Sequence, residues 1–246
     1  MSLPVHLVPS LAGVVVGAEV SVEGDEAHHA VAVRRLRKGE SVVLTDGLGT
    51  SVTGTVASTG KRVFAVTVVD VASLAAPTPA FVVVQAIPKG DRGELAVEML
   101  TEVGVARIVP WAAARSVAVW KGERADKSLA RWRSTAREAA KQARRPWHPE
   151  VDGLATTAMV ADRVAAADLA VVLHEDATAP LADLAVPACG TVLVVVGPEG
   201  GLTDDEVAAF TAAGAVSVRL GAEVLRTSTA GVVALAALLA RTPRWA

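Results

Sequence analysis

Two short segments hold the residue types that could bind and position a small ligand. The first is Gly197-Pro198-Glu199-Gly200-Gly201, which follows the run Thr191 to Val196 and leads into Thr203-Asp204-Asp205-Glu206, the pattern of a capping box. A strand, a tight turn and a helix in that order offer backbone amides and carbonyls at the carboxyl end of a strand, and three glycines allow positive φ and close backbone approach. The turn is neither G-x-G-x-x-G nor a P-loop, since it lacks a Lys-Ser/Thr pair to reach phosphates, so a dinucleotide or ATP is disfavoured. On spacing alone a structural turn serves nearly as well. The second segment starts at Leu220-Gly221, after a short strand expected over 215–220, and runs through Glu223 to Arg226-Thr227-Ser228-Thr229-Ala230 into an almost wholly apolar helix. A polar, arginine-bearing loop between two buried elements suits a binding site. It equally suits a helix N-terminus capped by Ser228 or Thr229 with Arg226 exposed.

A metal centre is not expected. His28 and His29 are adjacent, so in a strand they point to opposite faces, and His6, His148 and His174 have no ligand-like spacing. Cys189 is the single cysteine, which leaves no internal disulfide and no C-x-x-C pair; it reads as a small buried residue.

The net charge of −2 conceals an uneven distribution. Between Arg115 and Arg145, ten basic and three acidic side chains leave that segment at +7 and the remainder of the chain at −9. Placed at about 100° per residue, the stretch 126–144 has Leu129, Trp132, Ala136, Ala139 and Ala143 on one side and Arg131, Arg133, Arg137, Lys141 and Arg144 on the other. A solvated helix face accounts for that pattern by itself. The flanking Arg115 and Arg145-Pro146-Trp147-His148 add guanidinium groups and an aromatic ring suited to phosphates and bases, which favours RNA.

The elements around these segments fall into two groups. Short β-rich runs with glycine turns, 41–45, 51–56 and 62–71, read as a small β-barrel, and Ala75-Ala76-Pro77-Thr78-Pro79 reads as a stiff connection. Beyond it, continuous apolar strands over 81–87, 169–173 and 191–196 alternate with helices over 93–103, 126–144, 158–167, 203–213 and 229–241. Strands apolar on both faces suit a parallel sheet covered by helices, an α/β layered domain. With 246 residues, 52% of them hydrophobic, the chain can bury two such cores. No apolar run reaches the roughly 20 residues of a membrane span, and the N-terminus lacks the pattern of a signal peptide, so a cytoplasmic location is expected.

Taken in order, these residues resemble a family, the SPOUT class of knotted methyltransferases, and within it the bacterial enzymes that methylate N3 of a uridine in 16S rRNA. The resemblance rests on Val196-Gly197-Pro198-Glu199-Gly200-Gly201 with Glu206, and on Leu220-Gly221 through Leu225-Arg226-Thr227 to Thr229-Ala230. It also rests on Ala86-Ile87-Pro88-Lys89-Gly90-Asp91, Thr101-Glu102-Val103-Gly104-Val105, Arg115-Ser116, and Glu138-Ala139-Ala140-Lys141-Gln142 with Arg145 and Pro149. His29, Val33-Arg34-Arg35, Gly39 and Asp46-Gly47 resemble that family's PUA-like RNA-binding barrel. Two positions depart: Ser228 stands where the family usually has glutamate, and Arg34 where it has leucine. A serine cannot act as a carboxylate base.

The resemblance implies a PUA-like domain over 1–75 and a trefoil-knotted methyltransferase domain over 80–246, in a homodimer acting on 16S rRNA or the small ribosomal subunit. It implies S-adenosylmethionine as cofactor, held by Leu173, Val196, Gly197, Glu199, Gly200, Gly201, Leu220, Gly221, Leu225, Arg226, Thr227 and Thr229. Arg226 and Glu199 are then the polar groups nearest the reaction, and Arg34, Arg35, Arg115, Arg137, Lys141 and Arg145 the contacts to RNA. A ribose 2′-O-methyltransferase of the same knotted class, which usually shows Asn-Gly-Glu-Gly at the glycine turn, and a non-catalytic rRNA-binding assembly factor are the competing readings.

Overall fold

The computed structural model describes residues 3–245. They divide into two compact units, one comprising the chain up to Ala76 together with Lys141–His148, the other comprising Pro77–Ala140 and the chain from Pro149 onward.

The first unit contains β1 (Val5–Leu7), β2 (Glu19–Glu23), α1 (Gly24–His28), a π-helical turn at His29–Val33, β3 (Ser41–Thr45), β4 (Thr50–Thr59) and β5 (Val63–Ser73). The strands form one sheet in the order β1-β3-β4-β5-β2, antiparallel except for β1 beside β3. Two register shifts between β4 and β5, at Thr53/Gly54 and Val56/Ser58, bend that hairpin, as bulges do. Alternation places Val42, Leu44, Val52, Val56, Phe64 and Val66 in a core closed by Ala27 and Ala30.

Lys141–His148 packs into this unit. Trp147 Nε1 donates to the Leu74 carbonyl (2.8 Å), and the Gly47 carbonyl accepts from the His148 N–H (2.9 Å). Lys141 Nζ donates to both oxygens of Glu26 (3.1 and 3.0 Å), whose Oε1 also lies 3.2 Å from Nδ1 of the buried His6. Trp147 and Lys141, which sequence assigns to RNA, thus also have partners within the fold. A charge or a ring in a basic run signals a partner without saying that the partner lies in the same chain.

Burial alone would raise the Glu26 carboxyl, but the hydrogen bonds from His6 and Lys141, with their charges, bring it from 4.5 down to about 2. A carboxyl lowered on folding adds stability above its unfolded value, and that contribution is lost as the pH falls from there through the folded one. Lys141→Met removes a partner of a largely buried carboxylate and should cost about 2–3 kcal/mol at neutral pH. Urea unfolding of both proteins from neutral to acid pH checks this: the gap should close as Glu26 becomes protonated, and a gap independent of pH would contradict it.

The second unit contains β6 (Ala80–Ala86), α2 (Arg92–Val103), β7 (Arg107–Trp111), α3 (Glu123–Gln142, its last two residues in the first unit), β8 (Glu150–Val151), α4 (Thr157–Ala165), β9 (Leu169–Leu173), β10 (Thr191–Val196), α5 (Asp204–Ala212), β11 (Val216–Val218) and α6 (Thr227–Leu239). The six strands are all parallel, in the order β11-β9-β10-β6-β7-β8. Both faces of the sheet are covered. Phe81, Val83, Val192, Val194 and Val196 join Val97 and Leu100 of α2, Trp132 and Ala136 of α3, and Leu235 and Leu238 of α6. Val82, Val84, Leu193 and Val195 join Val160 and Val164 of α4 and Phe210 of α5. Each fully buried aliphatic side chain contributes about 1.5–3 kcal/mol, so the valine-rich strands dominate the stability of the unit. After edge strand β11 the chain crosses β9 to lay α6 over β10 and β6. Among the described residues no helix is long and apolar enough to cross a membrane.

Several expected bounds shift. α3 ends at Gln142 and Ala143 is exposed, because Arg144 takes a left-handed conformation (φ 53°) that ends the helix. α6 begins at Thr227, two residues early. β7 was unread because it contains Pro110, a residue that denies a donor to any ladder. The strand tolerates it because its neighbour β8 has only two residues, and Pro110 uses its carbonyl, which accepts from Ala155 N–H (2.8 Å). Cys189 is exposed rather than buried.

Candidate active site

β10 delivers the chain into the glycine turn, and Gly201 N–H closes it on the Pro198 carbonyl (3.0 Å). Of its three glycines only Gly201 has a positive φ (73°). Gly200 is required for a different reason: a Cβ there would lie 3.0 Å from Cβ of Arg115 and 3.1 Å from its carbonyl oxygen. The backbone after β7 thus presses against the turn.

Two side chains lock that approach. Arg115 Nη1 donates to the carbonyls of Leu202 (3.0 Å) and Gly200 (3.4 Å). Glu206 completes the expected capping box, its Oε2 accepting from the N–H (2.9 Å) and hydroxyl (3.1 Å) of Thr203, and its Oε1 accepts from Ala114 N–H (2.8 Å). It is buried, with 4% of its surface exposed. The capping box was legible in sequence; the reach of the same carboxylate to the loop after β7 was not. Arg115 belongs to this brace.

Glu199 ties the turn to a third loop. Its Oε1 accepts from Lys89 N–H (3.0 Å) and lies 3.7 Å from Arg92 Nη1, so the loop after β6 is held beside the one after β10. No partner engages its Oε2 among the described residues.

The arginine loop closes the other side. Leu220 to Leu225 make no backbone–backbone hydrogen bond among the described residues, and from Gly221 to Arg226 the chain is exposed. Arg226 is the N-cap residue of α6, and its carbonyl accepts from the N–H groups of Thr229 and Ala230 (2.9 Å each) and the Thr229 hydroxyl (3.1 Å). Neither expected side-chain cap is present: Thr229 bonds a carbonyl and Ser228 is buried in the first turn.

Turn and loop face each other across a cavity of about 700 Å³, within the size range of small-molecule sites. Leu173, Val196, Gly197, Glu199, Gly200, Gly201, Leu220, Gly221, Leu225, Arg226 and Thr227 all line it. Thr229 does not, since it turns back to the Arg226 carbonyl. Arg115, assigned by sequence to RNA, lines it as well. Unforeseen lining residues are His174, Glu175 and Asp176 after β9, with Arg92 and Arg219. For His174–Asp176 and Arg219, a position directly beyond the carboxyl end of a strand is the signal that would find them.

Of the remaining residues assigned to RNA, Arg34 and Arg35 are exposed in the first unit, and Arg35 holds a left-handed φ of 58°. Arg137 is exposed on α3 beside Ser134 and Glu138, and Arg145 is half-buried.

A small, mostly antiparallel sheet in one unit, and in the other a parallel α/β sheet whose strand ends enclose a glycine-lined cavity, are the features to set beside known proteins. The family model described as RNA methyltransferase domain matches residues 76–239, and the one described as RNA methyltransferase PUA domain matches residues 22–69. Ribosomal RNA small subunit methyltransferase E of Mycobacterium tuberculosis is 48% identical, over 93% of this chain and 89% of that protein. Its Bacillus subtilis counterpart is 32% identical over 90% of each. Among solved structures, a methyltransferase from Legionella pneumophila in complex with S-adenosylmethionine superposes with a TM-score of 0.90 at 26% identity, over 98% of this chain and 99% of that one. Ribosomal RNA small subunit methyltransferase E from Neisseria gonorrhoeae bound to S-adenosylmethionine gives 0.87 at 26% identity, over 98% of each. The chain belongs to the ribosomal RNA small subunit methyltransferase E family.

Proposed function

We propose that the protein transfers a methyl group from S-adenosylmethionine to N3 of a uridine in 16S rRNA, with the cavity between turn and loop as the cofactor site. The observation that carries this is the pairing of an apolar slot, Leu173, Val196, Leu220 and Leu225, with a loop whose backbone groups make no bond to the chain's own backbone. An adenine needs such a slot and such donors and acceptors. The sulfonium is cationic, and Glu175, Asp176, Glu199 and Glu223 place carboxylates on the cavity wall. The residues present therefore fit the group.

S-adenosylmethionine, when bound, supplies an activated methyl. What the chain must add is orientation of the acceptor and stabilisation of N3 as it loses its proton. Arg226 lines the cavity at the end of the exposed loop and is the cation assigned to the developing uridine anion. Glu199, with Oε2 unengaged by the chain, is assigned the proton. Ser228 is buried in α6 and takes no part. N3 lies on the Watson–Crick edge, so the target must be unpaired when it enters. Arg34 and Arg35 on the first unit, with Arg137 and Arg145, are assigned to the rRNA.

A homodimer is part of this reading. Val233 and Ala237 on α6, with Ala240 directly after it, leave an exposed apolar side that a second copy would cover. Sedimentation at the monomer mass would exclude it. The cofactor assignment is tested by titration calorimetry, which should show saturable S-adenosylmethionine binding to the folded protein. A folded protein that gives no heat of binding would end it.

A further inference from the structure

Along β6 the apolar run Phe81-Val82-Val83-Val84 continues into Gln85, whose side chain is fully buried. A buried carboxamide costs free energy unless both of its ends are bonded. Only one end is. Nε2 donates to the carbonyls of Ala86 (3.1 Å) and Thr227 (3.3 Å), while Oε1 has no hydrogen-bond partner among the described residues. Turning the amide over would set its oxygen against two carbonyl oxygens, so the orientation is fixed.

Alternation along β6 sends Gln85 to the face shared with Phe81 and Val83, towards α2 and α6. Its register neighbour on β10 is Val196, the last residue before the glycine turn. Thr227, 142 positions along the chain, opens α6 directly after Arg226. Val196 and Thr227 both line the cavity. Gln85 thus joins the floor under the turn to the anchor point of the arginine loop.

The fold gains little from this arrangement. A neutral hydrogen bond contributes about 1 kcal/mol, and an unpaired buried acceptor costs about as much or more. An apolar side chain of similar size would serve the core as well.

We propose that Gln85 is a positioning residue for the cofactor site, its bond to the Thr227 carbonyl fixing where α6 begins and hence where Leu220–Arg226 stands. This rests on the reading of the cavity as the S-adenosylmethionine site. Gln85→Leu, and Gln85→Met as a second fold-preserving change, should bind S-adenosylmethionine about tenfold more weakly by calorimetry, the equivalent of one lost hydrogen bond. Their melting temperature without cofactor should be unchanged or raised, because the unpaired oxygen is gone. A purely structural role predicts the opposite pattern, a lowered melting temperature with unchanged affinity. In Gln85→Glu only the protonated carboxyl can donate to Thr227, so affinity should recover as the pH falls, a dependence absent from the unaltered protein. If the unaltered protein binds S-adenosylmethionine and Gln85→Leu binds it equally well, the assignment to Gln85 is overturned. If the unaltered protein does not bind it, the cofactor reading falls and this proposal falls with it.

Discussion

Arg226→Ala should reduce methyl transfer about a hundred- to a thousand-fold while leaving the fold intact, the range seen when one preorganised electrostatic group is removed from a developing charge. The structure explains why the two effects separate. The side chain of Arg226 is exposed on the cavity wall, and only its backbone carbonyl serves α6, accepting from Thr229 and Ala230. Alanine keeps that carbonyl. Single-turnover assays at saturating cofactor and rRNA should show the loss in the rate constant, with an unaltered melting temperature. A variant that turns over normally would remove Arg226 from the chemistry and leave the cavity as a binding site only.

Glu206→Ala should have the largest structural effect in the second unit. One buried carboxylate serves the Ala114 N–H, the Thr203 N–H and the Thr203 hydroxyl, so its loss removes three hydrogen bonds to a charged acceptor, although the exposed Ala114 and half-buried Thr203 can turn to water in part. A hydrogen bond to a charged group contributes about 1.5–3 kcal/mol, and with the donors partly open to water a cost of about 2 kcal/mol is expected. The glycine turn would also lose half of its brace to the loop after β7, with Arg115 left to hold Gly200 and Leu202 alone. Cofactor affinity measured below the lowered melting temperature should therefore fall about tenfold or more, the free-energy equivalent of at least one hydrogen bond. Glu206→Gln should be intermediate, because its carboxamide offers a single acceptor oxygen to donors on two loops. Chemical denaturation and calorimetry on both variants check the order; equal stability of Glu206→Ala and the unaltered protein would contradict it.

What could be read from the residues followed the physics that is local. β9 and β10 were legible residue for residue, since strands buried on both faces must be continuously apolar. Trp132, Ala136 and Ala139 marked the buried side of α3 through their spacing. The edge strands β1 and β8 carry too few residues to show a period. At the site, the glycine turn and the arginine loop were legible as backbone features, and the structure brings them to one cavity. What sequence does not show is pairing at a distance. Arg115 and Lys141 looked like RNA contacts because a charge in a basic run does not reveal what lies opposite it in the fold. Arg115 meets the carbonyls of Gly200 and Leu202, and Lys141 meets Glu26. Glu206 showed its cap but not its reach to Ala114, 92 positions earlier. Gln85 gave no signal, since a lone amide in a strand says nothing until its partners are known.

Methylation of a base nitrogen of ribosomal RNA at this cavity leaves a product that can be identified. The most direct measurement is nucleoside analysis by mass spectrometry of small-subunit rRNA, lacking the modification, after incubation with the protein and labelled S-adenosylmethionine. Label is expected in 3-methyluridine at one position, lost with Arg226→Ala. Label in a ribose-methylated nucleoside, or none at all from a folded protein that binds its cofactor, would contradict it.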